Sequence, residues 1–412
     1  MTLLPAQRHT TTSWPELAIP PRSALRARLA ERLFRHAVRR LDLIVEFPDG
    51  ERLGGGGSGA PVLRLERPDA FFCRLGVEGS IGFAEAYLAG DWTADSDLAA
   101  VLTPFAESVA TLVPRPLQAL RRWVDAARPA SEDNTAGNAR SNISRHYDLS
   151  NDLFAAFLDE SMTYSSAWFG PGDDLNAAQL RKIDGILDLA GVGPGSRVLE
   201  IGTGWGALAI RAAQRGAHVT TLTLSAEQRT MARQRITEAG ADDRVRVLLQ
   251  DYRDATGQYD AVVAVEMIEA VGADYWPVFF ATLDQRLVPG GRIALQAITM
   301  PHDRLQATLR SYTWVHKYIF PGGQLLSTEA IGDQVRTHTG LQMTASRSLG
   351  PHYARTLAIW RDRFRRAETD VAALGFDDTF RRMWEFYLSY SEAGFRSGYL
   401  DVWQVQLSKP QC

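Results

Sequence analysis

The sequence has little of what several large classes of protein depend on. It holds two cysteines, Cys73 and Cys412, among 412 residues, too few for a disulfide framework or a cysteine-rich zinc site. No apolar run approaches the roughly 18 residues of a membrane-spanning helix, and residues 1–12 lack the pattern of a secretory signal. A net charge of −3 gives no basic excess for binding nucleic acid. We therefore expect a globular, cytoplasmic protein without a metal site.

Charge is unevenly distributed, and a basic segment lies near the N terminus. Between Pro21 and Leu41 the chain has seven arginines and one acidic residue, Glu31, and Leu25 and Leu29 recur at helical spacing. This pattern predicts an arginine-rich amphipathic helix. Such a helix can lie on an anionic bilayer surface, or it can pack on its own domain with a solvated basic face. Both interpretations stay open at this point.

Composition divides the chain into three consecutive pieces. Residues 1–128 are predicted to form a smaller α+β accessory domain that engages lipid. Residues 129–142 are almost without apolar side chains and are predicted to be a linker. Residues 143–412 are predicted to form the catalytic domain. Within the first piece, alternating runs favour strands and longer apolar patterns favour helices, one of them interrupted or begun at Pro104. The strands are expected at 41–47, 62–65 and 71–75, and the helices at 22–41, 82–89 and 98–113.

From about residue 190 onward, short apolar runs alternate with helical patterns. This alternation predicts an α/β fold with a doubly wound, mostly parallel sheet of the Rossmann type. The expected strands are 197–201, 218–224, 245–249, 259–265 and 292–298, and the expected helices include 207–215 and 225–239.

A glycine-rich turn follows the first of these strands. Gly202, Gly204 and Gly206 can adopt backbone conformations that let the main chain approach a ligand, and this turn is a common ligand site in such sheets. Dinucleotide-binding folds share the triplet. Glu200, however, stands directly before it, and a carboxylate suits a cationic ligand better than a pyrophosphate. Together with Asp251 and the later Pro-Gly-Gly at 289–291, the pattern resembles class I S-adenosylmethionine (SAM) methyltransferases.

Longer motifs are similar to those of the cyclopropane fatty acid synthase family, which includes the mycolic acid cyclopropane synthases. The similarity extends over roughly residues 140–405. The matching segments are 145–154, 158–159, 162–167, 202–206, 222–225 with Gln228, 269–272, 319–323, 352–357 and 395–399.

The resemblance implies a reaction. SAM would give a one-carbon unit to a cis double bond in an unsaturated fatty acyl chain of a membrane phospholipid. The carbocation left on the chain would then lose a proton to a base. The same resemblance implies a homodimer that lies peripherally on the inner face of the membrane. A SAM methyltransferase acting on a small soluble molecule, and an inactive lipid-binding protein, are the alternatives from other classes.

The resemblance also assigns residues to the SAM site. His146 and Asp148 would flank that site, with direct contact and a structural role both open. The cofactor-binding residues would be Tyr164, Ser165, Glu200, Gly202, Gly204, Gly206, Thr223, Leu224, Gln228, Asp251 and Tyr252.

One small pocket departs from the family's pattern. Cyclopropane synthases hold a bicarbonate ion as the base, using a Cys, a Glu, a His, a Tyr and an Ile backbone. The corresponding residues here would be Ser166, Glu269, Gln296, Tyr353 and Ile298. In addition, Glu266 stands where those synthases have glycine.

We hypothesise that the Glu266 carboxylate takes the place of bicarbonate, so that Glu266, Glu269, Tyr353, Gln296 and Ser166 form the catalytic set. Relocated deprotonation would give a methylene- or methyl-branched chain. This resembles methyltransferases that work with a flavin-dependent reductase partner. The alternative is that bicarbonate still binds and the product is a cyclopropane ring.

Overall fold

The computed structural model describes residues 14–95, 97–109, 129, 132–135, 137–139 and 150–411. These residues form two compact units. The first contains the described residues up to 109 together with 311–317 and 357–399, and the second contains the remainder. The predicted division into consecutive pieces differs from these units, because two later segments of the chain belong to the first unit. The lipid-engaging and catalytic roles of the pieces stay predictions.

The first unit is built on a small sheet whose strand order is β2-β1-β3-β4. β1 pairs in parallel with β3 and antiparallel with β2. The strands are β1 (Ile44–Glu46), β2 (Arg52–Leu53), β3 (Val62–Leu65) and β4 (Trp92–Ala94). The helices of this unit are Pro15–Ala18, Ala24–Val38, Pro68–Glu78, Ser80–Ala89, Leu98–Glu107, Glu368–Ala373 and Asp378–Arg396.

Two expectations for this unit were wrong. Residues 71–75 lie in the helix Pro68–Glu78 and not in a strand. A short apolar run does not by itself distinguish a strand from a helix, and Pro68 favours a helix start at this point. Pro104 lies inside the helix Leu98–Glu107 and neither begins nor interrupts it.

The basic segment forms the helix Ala24–Val38, which has two different faces. Phe34 and Val38 are buried, whereas Leu25 is 82% exposed and Leu29 is 56% exposed. One face therefore packs on its own unit, and the other carries exposed leucines. Where the structure is described, no helix has both the length and the apolar character needed to cross a membrane.

The second unit contains a seven-stranded sheet of order β10-β11-β9-β8-β5-β6-β7. Strands β5 to β9 are parallel to one another, whereas β11 pairs antiparallel with both β9 and β10. The strands are β5 (Arg197–Ile201), β6 (His218–Thr223), β7 (Val245–Leu249), β8 (Tyr259–Val265), β9 (Leu287–Thr299), β10 (Gln342–Ser348) and β11 (Asp401–Ser408). The helices of this unit are Asn151–Ala155, Leu175–Leu189, Ala207–Gln214, Ala226–Glu238, Trp276–Arg286, His302–Thr308 and Thr328–His338, and two further helices are Trp314–Tyr318 and Gly350–Arg366. Short 3-10 helices span Tyr252–Asp254, Ile268–Ala270 and Ala273–Tyr275.

Two hydrophobic cores lie on opposite faces of this sheet, as strand alternation requires. Val198 on β5 joins one core with Ile186 and Leu208 from helices. Its neighbour Leu199 joins the other core with Phe279. Helices therefore cover both faces, and the predicted α/β class with a doubly wound, mostly parallel sheet is confirmed.

The predicted linker is partly packed into the second unit. Glu132, Asn134 and Ala139 are buried. The Asn134 side chain donates to the Gly322 carbonyl at 2.8 Å, and the Arg253 guanidinium donates to the Asn134 carbonyl at 3.3 Å. Hydrogen bonds hold this segment in place, which an argument from apolar content alone does not detect. The motif residues His146 and Asp148 lie outside the described residues.

Candidate functional site

The carboxyl ends of five parallel strands meet along one edge of the large sheet. Gly202 follows β5, Leu224 follows β6, Asp251 lies just beyond β7, and Glu266 follows β8. This edge is where ligands bind in open α/β sheets. Folding thus brings residues from four separate strand ends to one edge.

The glycine turn after β5 requires its glycines. Gly202, Gly204 and Gly206 have φ values of +97°, +52° and +89°, a region that other residues rarely adopt. A Cβ on Gly204 would meet no atom of a described residue within 4 Å, so open space borders the turn on this side. Gly206 is the N-cap of the helix Ala207–Gln214.

Glu200 brings a buried carboxylate to this turn. It is 3% exposed, and Oε2 has no hydrogen-bond partner among the described residues. Burial raises its pKa to about 8, although the Thr221 hydroxyl and the charge of Lys182 act in the opposite direction. An orphaned carboxylate oxygen beside an open glycine turn fits a cationic ligand such as SAM.

The next strand end places Thr223 beside Gln228. The Thr223 hydroxyl donates to Gln228 Oε1 at 3.0 Å, and both side chains are buried. Ser225 caps the helix Ala226–Glu238 by accepting from the Gln228 backbone N–H. Leu224, between Thr223 and the cap, is half-buried.

Beyond β7, hydrogen bonds from Arg253 fix the position of Asp251, and an aromatic contact fixes that of Tyr252. Burial opposes ionisation of Asp251, but hydrogen bonds from Arg253 outweigh it and keep the pKa of this carboxyl below its ordinary value. Those bonds come from the Arg253 backbone N–H at 2.9 Å and from its guanidinium at 2.8 Å and 2.7 Å. Tyr252 packs edge-on against Phe279 with ring centroids 5.2 Å apart.

The segment with Tyr164 and Ser165 is fixed against two other elements. Tyr164 packs edge-on against Phe154 at 5.2 Å, and Phe154 packs against Trp205 of the glycine turn at 5.0 Å. The Ser165 hydroxyl accepts a hydrogen bond from Lys182 Nζ at 2.6 Å. The segment and the glycine turn therefore share an aromatic cluster.

Glu266 is the centre of the predicted catalytic set. Its Oε1 accepts from the Ser166 backbone N–H at 2.8 Å and from Gln296 Nε2 at 2.7 Å. Its Oε2 accepts from the Tyr353 hydroxyl at 2.7 Å. The half-buried Glu266 thus meets donors that are themselves buried. Ser166 contributes its backbone and not its side chain, because its hydroxyl donates to the Ala167 carbonyl.

The backbone of Glu266 is in the left-handed region, with φ at +49°. This conformation costs a residue other than glycine about 1–2 kcal/mol. Glycine, which the resemblance places here in cyclopropane synthases, would adopt it without that cost. Strain of this kind persists where the surrounding structure fixes the residue, and here the fixing groups are the donors to its carboxylate.

Glu269 completes a pair of carboxylates with unequal surroundings. Its Oε1 accepts from the Ile298 backbone N–H at 2.5 Å, and its Oε2 is buried and has no hydrogen-bond partner in the part of the chain that the structure describes. Burial, with the repulsion of Glu266, raises its pKa to about 8. Burial also raises the pKa of Glu266, but its hydrogen bonds and the charge of Lys182 act against this rise. Glu266 is therefore the member that loses its proton first.

Three residues of this region were missed by sequence reasoning. Gln179 and Lys182 lie in the buried stripe of the helix Leu175–Leu189, and Gln404 is a buried polar residue on β11. Polar residues standing within an apolar stripe were the available signal. Gln179 Nε2 donates to the Ser165 carbonyl at 2.9 Å, so it supports the same segment as Lys182.

Comparisons with known proteins identify similar sequences. A family model described as mycolic acid cyclopropane synthetase matches residues 134–405. Tuberculostearic acid methyltransferase UfaA1 of Mycobacterium tuberculosis is 54% identical over 405 residues, which is 96% of this chain and 95% of that protein. The cyclopropane-fatty-acyl-phospholipid synthase of Escherichia coli is 36% identical over 361 residues, with coverage of 86% and 89%.

Solved structures show the same relationship over about two thirds of the chain. The cyclopropane synthase MmaA2 from Mycobacterium tuberculosis superposes with a TM-score of 0.61 at 34% identity, covering 66% of this chain and 98% of that one. Mycolic acid cyclopropane synthase CmaA1, complexed with SAH and CTAB, gives a TM-score of 0.61 at 30% identity, covering 68% and 99%. The matched structures thus include one with the demethylated cofactor bound.

Proposed function

The chain belongs to the mycolic acid cyclopropane synthetase family, and we propose the following reaction for it. The protein transfers a one-carbon unit from SAM to the cis double bond of an unsaturated fatty acyl chain. The substrate chain belongs to a membrane phospholipid, and the product is a methylene- or methyl-branched chain. The arrangement of donors around the Glu266 carboxylate is the observation that carries this proposal.

SAM is the cofactor, and the residues at the strand ends fit it. The glycine turn offers open space, and Glu200 offers an unpartnered buried carboxylate oxygen. When bound, SAM supplies an electrophilic methyl group, whose transfer leaves a carbocation on the acyl chain. The remaining binding residues would be Tyr164, Ser165, Thr223, Leu224, Gln228, Asp251 and Tyr252.

The chain's own residues then govern where a proton leaves. A carbocation next to Glu266 is stabilised by the carboxylate charge. A hydride shift within the acyl chain moves the positive charge to the methyl-bearing carbon. Glu266 accepts a proton from the methyl group, and the electron pair of that C–H bond becomes the second bond of a methylene branch (C=CH₂) on the acyl chain. Reduction to a methyl branch needs a hydride and a proton, which we assign to a flavin-dependent reductase partner.

The contacts of Glu266 argue against bicarbonate as the base. The Ser166 backbone, Gln296 and Tyr353 all donate to this carboxylate. Another anion beside Glu266 would lack those donors and would be repelled by the ionised Glu266 carboxylate. A relative that is 54% identical is named as a tuberculostearic acid methyltransferase, which also favours a branched product over a ring.

Product analysis tests the proposal. Purified protein would be incubated with SAM and vesicles of dioleoyl phosphatidylglycerol in bicarbonate-free buffer, without a reductase. We expect acyl chains that gain the mass of one CH₂ group and show the NMR signals of a C=CH₂ methylene branch. Cyclopropane signals together with a requirement for added bicarbonate would establish the alternative, a cyclopropane synthase.

The membrane surface is the proposed source of the substrate. The exposed face of the helix Ala24–Val38 has Leu25 and Leu29 beside Arg26, Arg28 and Arg32, all of which are exposed. Leucine side chains can enter the interface while guanidinium groups contact anionic headgroups. This combination supports peripheral binding to an anionic bilayer. We also propose a homodimer, which would present two such faces and gain avidity, and which light scattering would detect.

Co-sedimentation with vesicles tests the membrane proposal. We expect binding to phosphatidylglycerol vesicles and much weaker binding to phosphatidylcholine vesicles. The double variant Leu25→Ser and Leu29→Ser should lose binding, whereas the control Leu374→Ser, at a leucine that is 41% exposed, should retain it. Equal binding by the double variant and the wild type would contradict this role of the helix.

A further inference from the structure

We propose that Gln404 is a positioning residue that fixes the orientation of the Gln296 amide and thereby presents a donor to Glu266. The inference rests on the proposed role of Glu266 as the base. Gln404 lies outside the catalytic set, because it hydrogen-bonds to Gln296, and Gln296 in turn hydrogen-bonds to Glu266.

The sheet register places the two glutamines together. Gln404 on β11 lies directly opposite Gln296 on β9 in the antiparallel ladder, so their side chains share one face of the sheet. Both are fully buried. Gln404 Nε2 donates to Gln296 Oε1 at 2.9 Å, and Gln296 Nε2 donates to Glu266 Oε1 at 2.7 Å. The three side chains form a directed chain of hydrogen bonds.

The direction of this chain matters because an amide has two different ends of similar shape. Gln296 meets the carboxylate with its NH₂ group only while its carbonyl oxygen has a donor elsewhere. Gln404 is that donor. If the side chain at position 404 could only accept a hydrogen bond, the Gln296 amide would rotate to donate its NH₂ group to that side chain. The Gln296 carbonyl oxygen would then face Glu266. A carboxylate facing a carbonyl oxygen at this distance must hold a proton, and a protonated Glu266 is no base.

Several charged and titratable groups surround the two glutamines and influence the ionisation of Glu266. Glu266 and Glu269 approach from the end of β8 and from the 3-10 helix that follows, and Tyr353 comes from the helix Gly350–Arg366. Lys182 from the helix Leu175–Leu189 favours the anionic form of Glu266. Arg347 pairs with Gln404 in the ladder on the β10 side, where its guanidinium stacks on Trp168 and donates to the Gly185 carbonyl.

Two substitutions of near-identical size separate positioning from mere packing. Gln404→Glu keeps a donor while its carboxyl is protonated, as burial favours, and becomes a pure acceptor when it ionises. Its kcat should be near that of the wild type at low pH and should fall at least roughly tenfold as the pH rises, the effect of one lost or reversed buried hydrogen bond. Gln404→Met lacks the donor at every pH, and its kcat should be lowered by a constant factor.

A matched control lies two residues along the same strand. Gln406 donates to the Leu189 carbonyl and accepts from Thr344, so Gln406→Glu and Gln406→Met should leave the shape of the pH profile unchanged. SAM affinity, measured by calorimetry, should be the same in all four variants. If Gln404→Glu does not fold, a selective kcat loss in Gln404→Met over Gln406→Met remains the expected result.

The outcomes distinguish this inference from the proposed function. Equal losses in Gln404→Glu and Gln404→Met at every pH, or no loss in either, would overturn the positioning role. An additional variant, Glu266→Gln, tests the base itself. If Glu266→Gln keeps full activity, the proposed function fails. If it is inactive while the Gln404 variants show no pH effect, only the inference about Gln404 fails.

Discussion

The Tyr353 hydroxyl donates a hydrogen bond to Oε2 of Glu266 at 2.7 Å. The contact joins the helix Gly350–Arg366 to the end of β8, and it complements the donors that Ser166 and Gln296 present to Oε1. Both oxygens of the carboxylate are therefore met by donors, which favour its ionised form. An anion fixed in this way is suited to stabilise positive charge and then to accept a proton.

Removing the Tyr353 hydroxyl should make the ionised form of Glu266 less favourable. In Tyr353→Phe we expect kcat to fall roughly tenfold, because one charge-assisted hydrogen bond is lost. The pKa of Glu266 should rise, so the acidic limb of the kcat–pH profile should move to higher pH. The control is Tyr259→Phe, which removes a hydroxyl that donates to the Thr256 carbonyl. An unshifted profile in Tyr353→Phe would contradict the role given to this contact.

Lys182 should affect the ionisation of Glu266 through its positive charge, and SAM binding through its hydrogen bond to the Ser165 hydroxyl. Burial lowers its pKa to about 8, while Glu266, Asp159 and Glu200 act to keep it protonated. In Lys182→Met the acidic limb of the kcat–pH profile should shift upward, and SAM affinity measured by calorimetry should fall several-fold. The control Lys409→Met removes a lysine that donates to backbone carbonyls of Asp284 and Leu287. Identical behaviour of the two variants would argue against this role.

The free energy of unfolding should depend on pH through Glu269. Its pKa rises from the ordinary 4.5 to about 8 in the folded protein, so the folded state retains a proton that the unfolded chain releases above pH 4.5. The stability that this proton contributes is complete below pH 4.5 and is lost as the pH rises to about 8, at about 1.4 kcal/mol per unit of pKa difference.

The variant Glu269→Gln has no such proton to lose. Urea unfolding at pH 5 and pH 8 should therefore show a smaller loss of stability for the variant than for the wild type, by a few kcal/mol. Glu200, whose pKa is also raised to about 8, should leave part of the dependence in place. Equal pH slopes in variant and wild type would count against a protonated Glu269.

The glycine turn offers a test of cofactor binding with an internal control. In Gly204→Ala the new methyl group projects into the open space next to the turn, and φ is +52°. Gly240 has a φ of +65° and equally open surroundings, but it lies after the helix Ala226–Glu238. Both alanine variants should lose similar stability, roughly 1 kcal/mol. Only Gly204→Ala should lose SAM affinity in calorimetry, and equal affinities would place the cofactor elsewhere.

Periodicity predicted the large sheet well and the small unit less well. Strands β5, β7 and β8 have the bounds expected from their apolar runs, and the glycine turn follows β5 as predicted. The run at 71–75 was assigned to a strand because five residues do not display a helical period. Local patterns also gave no indication that 311–317 and 357–399 return to the first unit, since such a return depends on contacts distant in sequence.

Dependence on contacts distant in sequence also limited what could be predicted of the candidate site. The motif comparison identified Glu266, Gln296 and Tyr353 as members of one pocket, and the structure brings them into hydrogen-bond contact. It did not identify Lys182 or Gln404, because their roles depend on hydrogen-bond partners that only the folded chain brings next to them. For Ser166 the comparison pointed to a side chain, whereas the contact is made by the backbone N–H.

The bicarbonate dependence of Glu266→Gly, compared with that of the wild type, tests the central claim most directly. Glycine suits the left-handed backbone at this position, and its substitution leaves the donors of Ser166, Gln296 and Tyr353 free for another anion. We expect the wild type to be fully active in bicarbonate-depleted buffer. The variant should be inactive there and should recover activity as bicarbonate is added. Bicarbonate dependence in the wild type, or full activity of the variant without bicarbonate, would show that the Glu266 carboxylate is not the base.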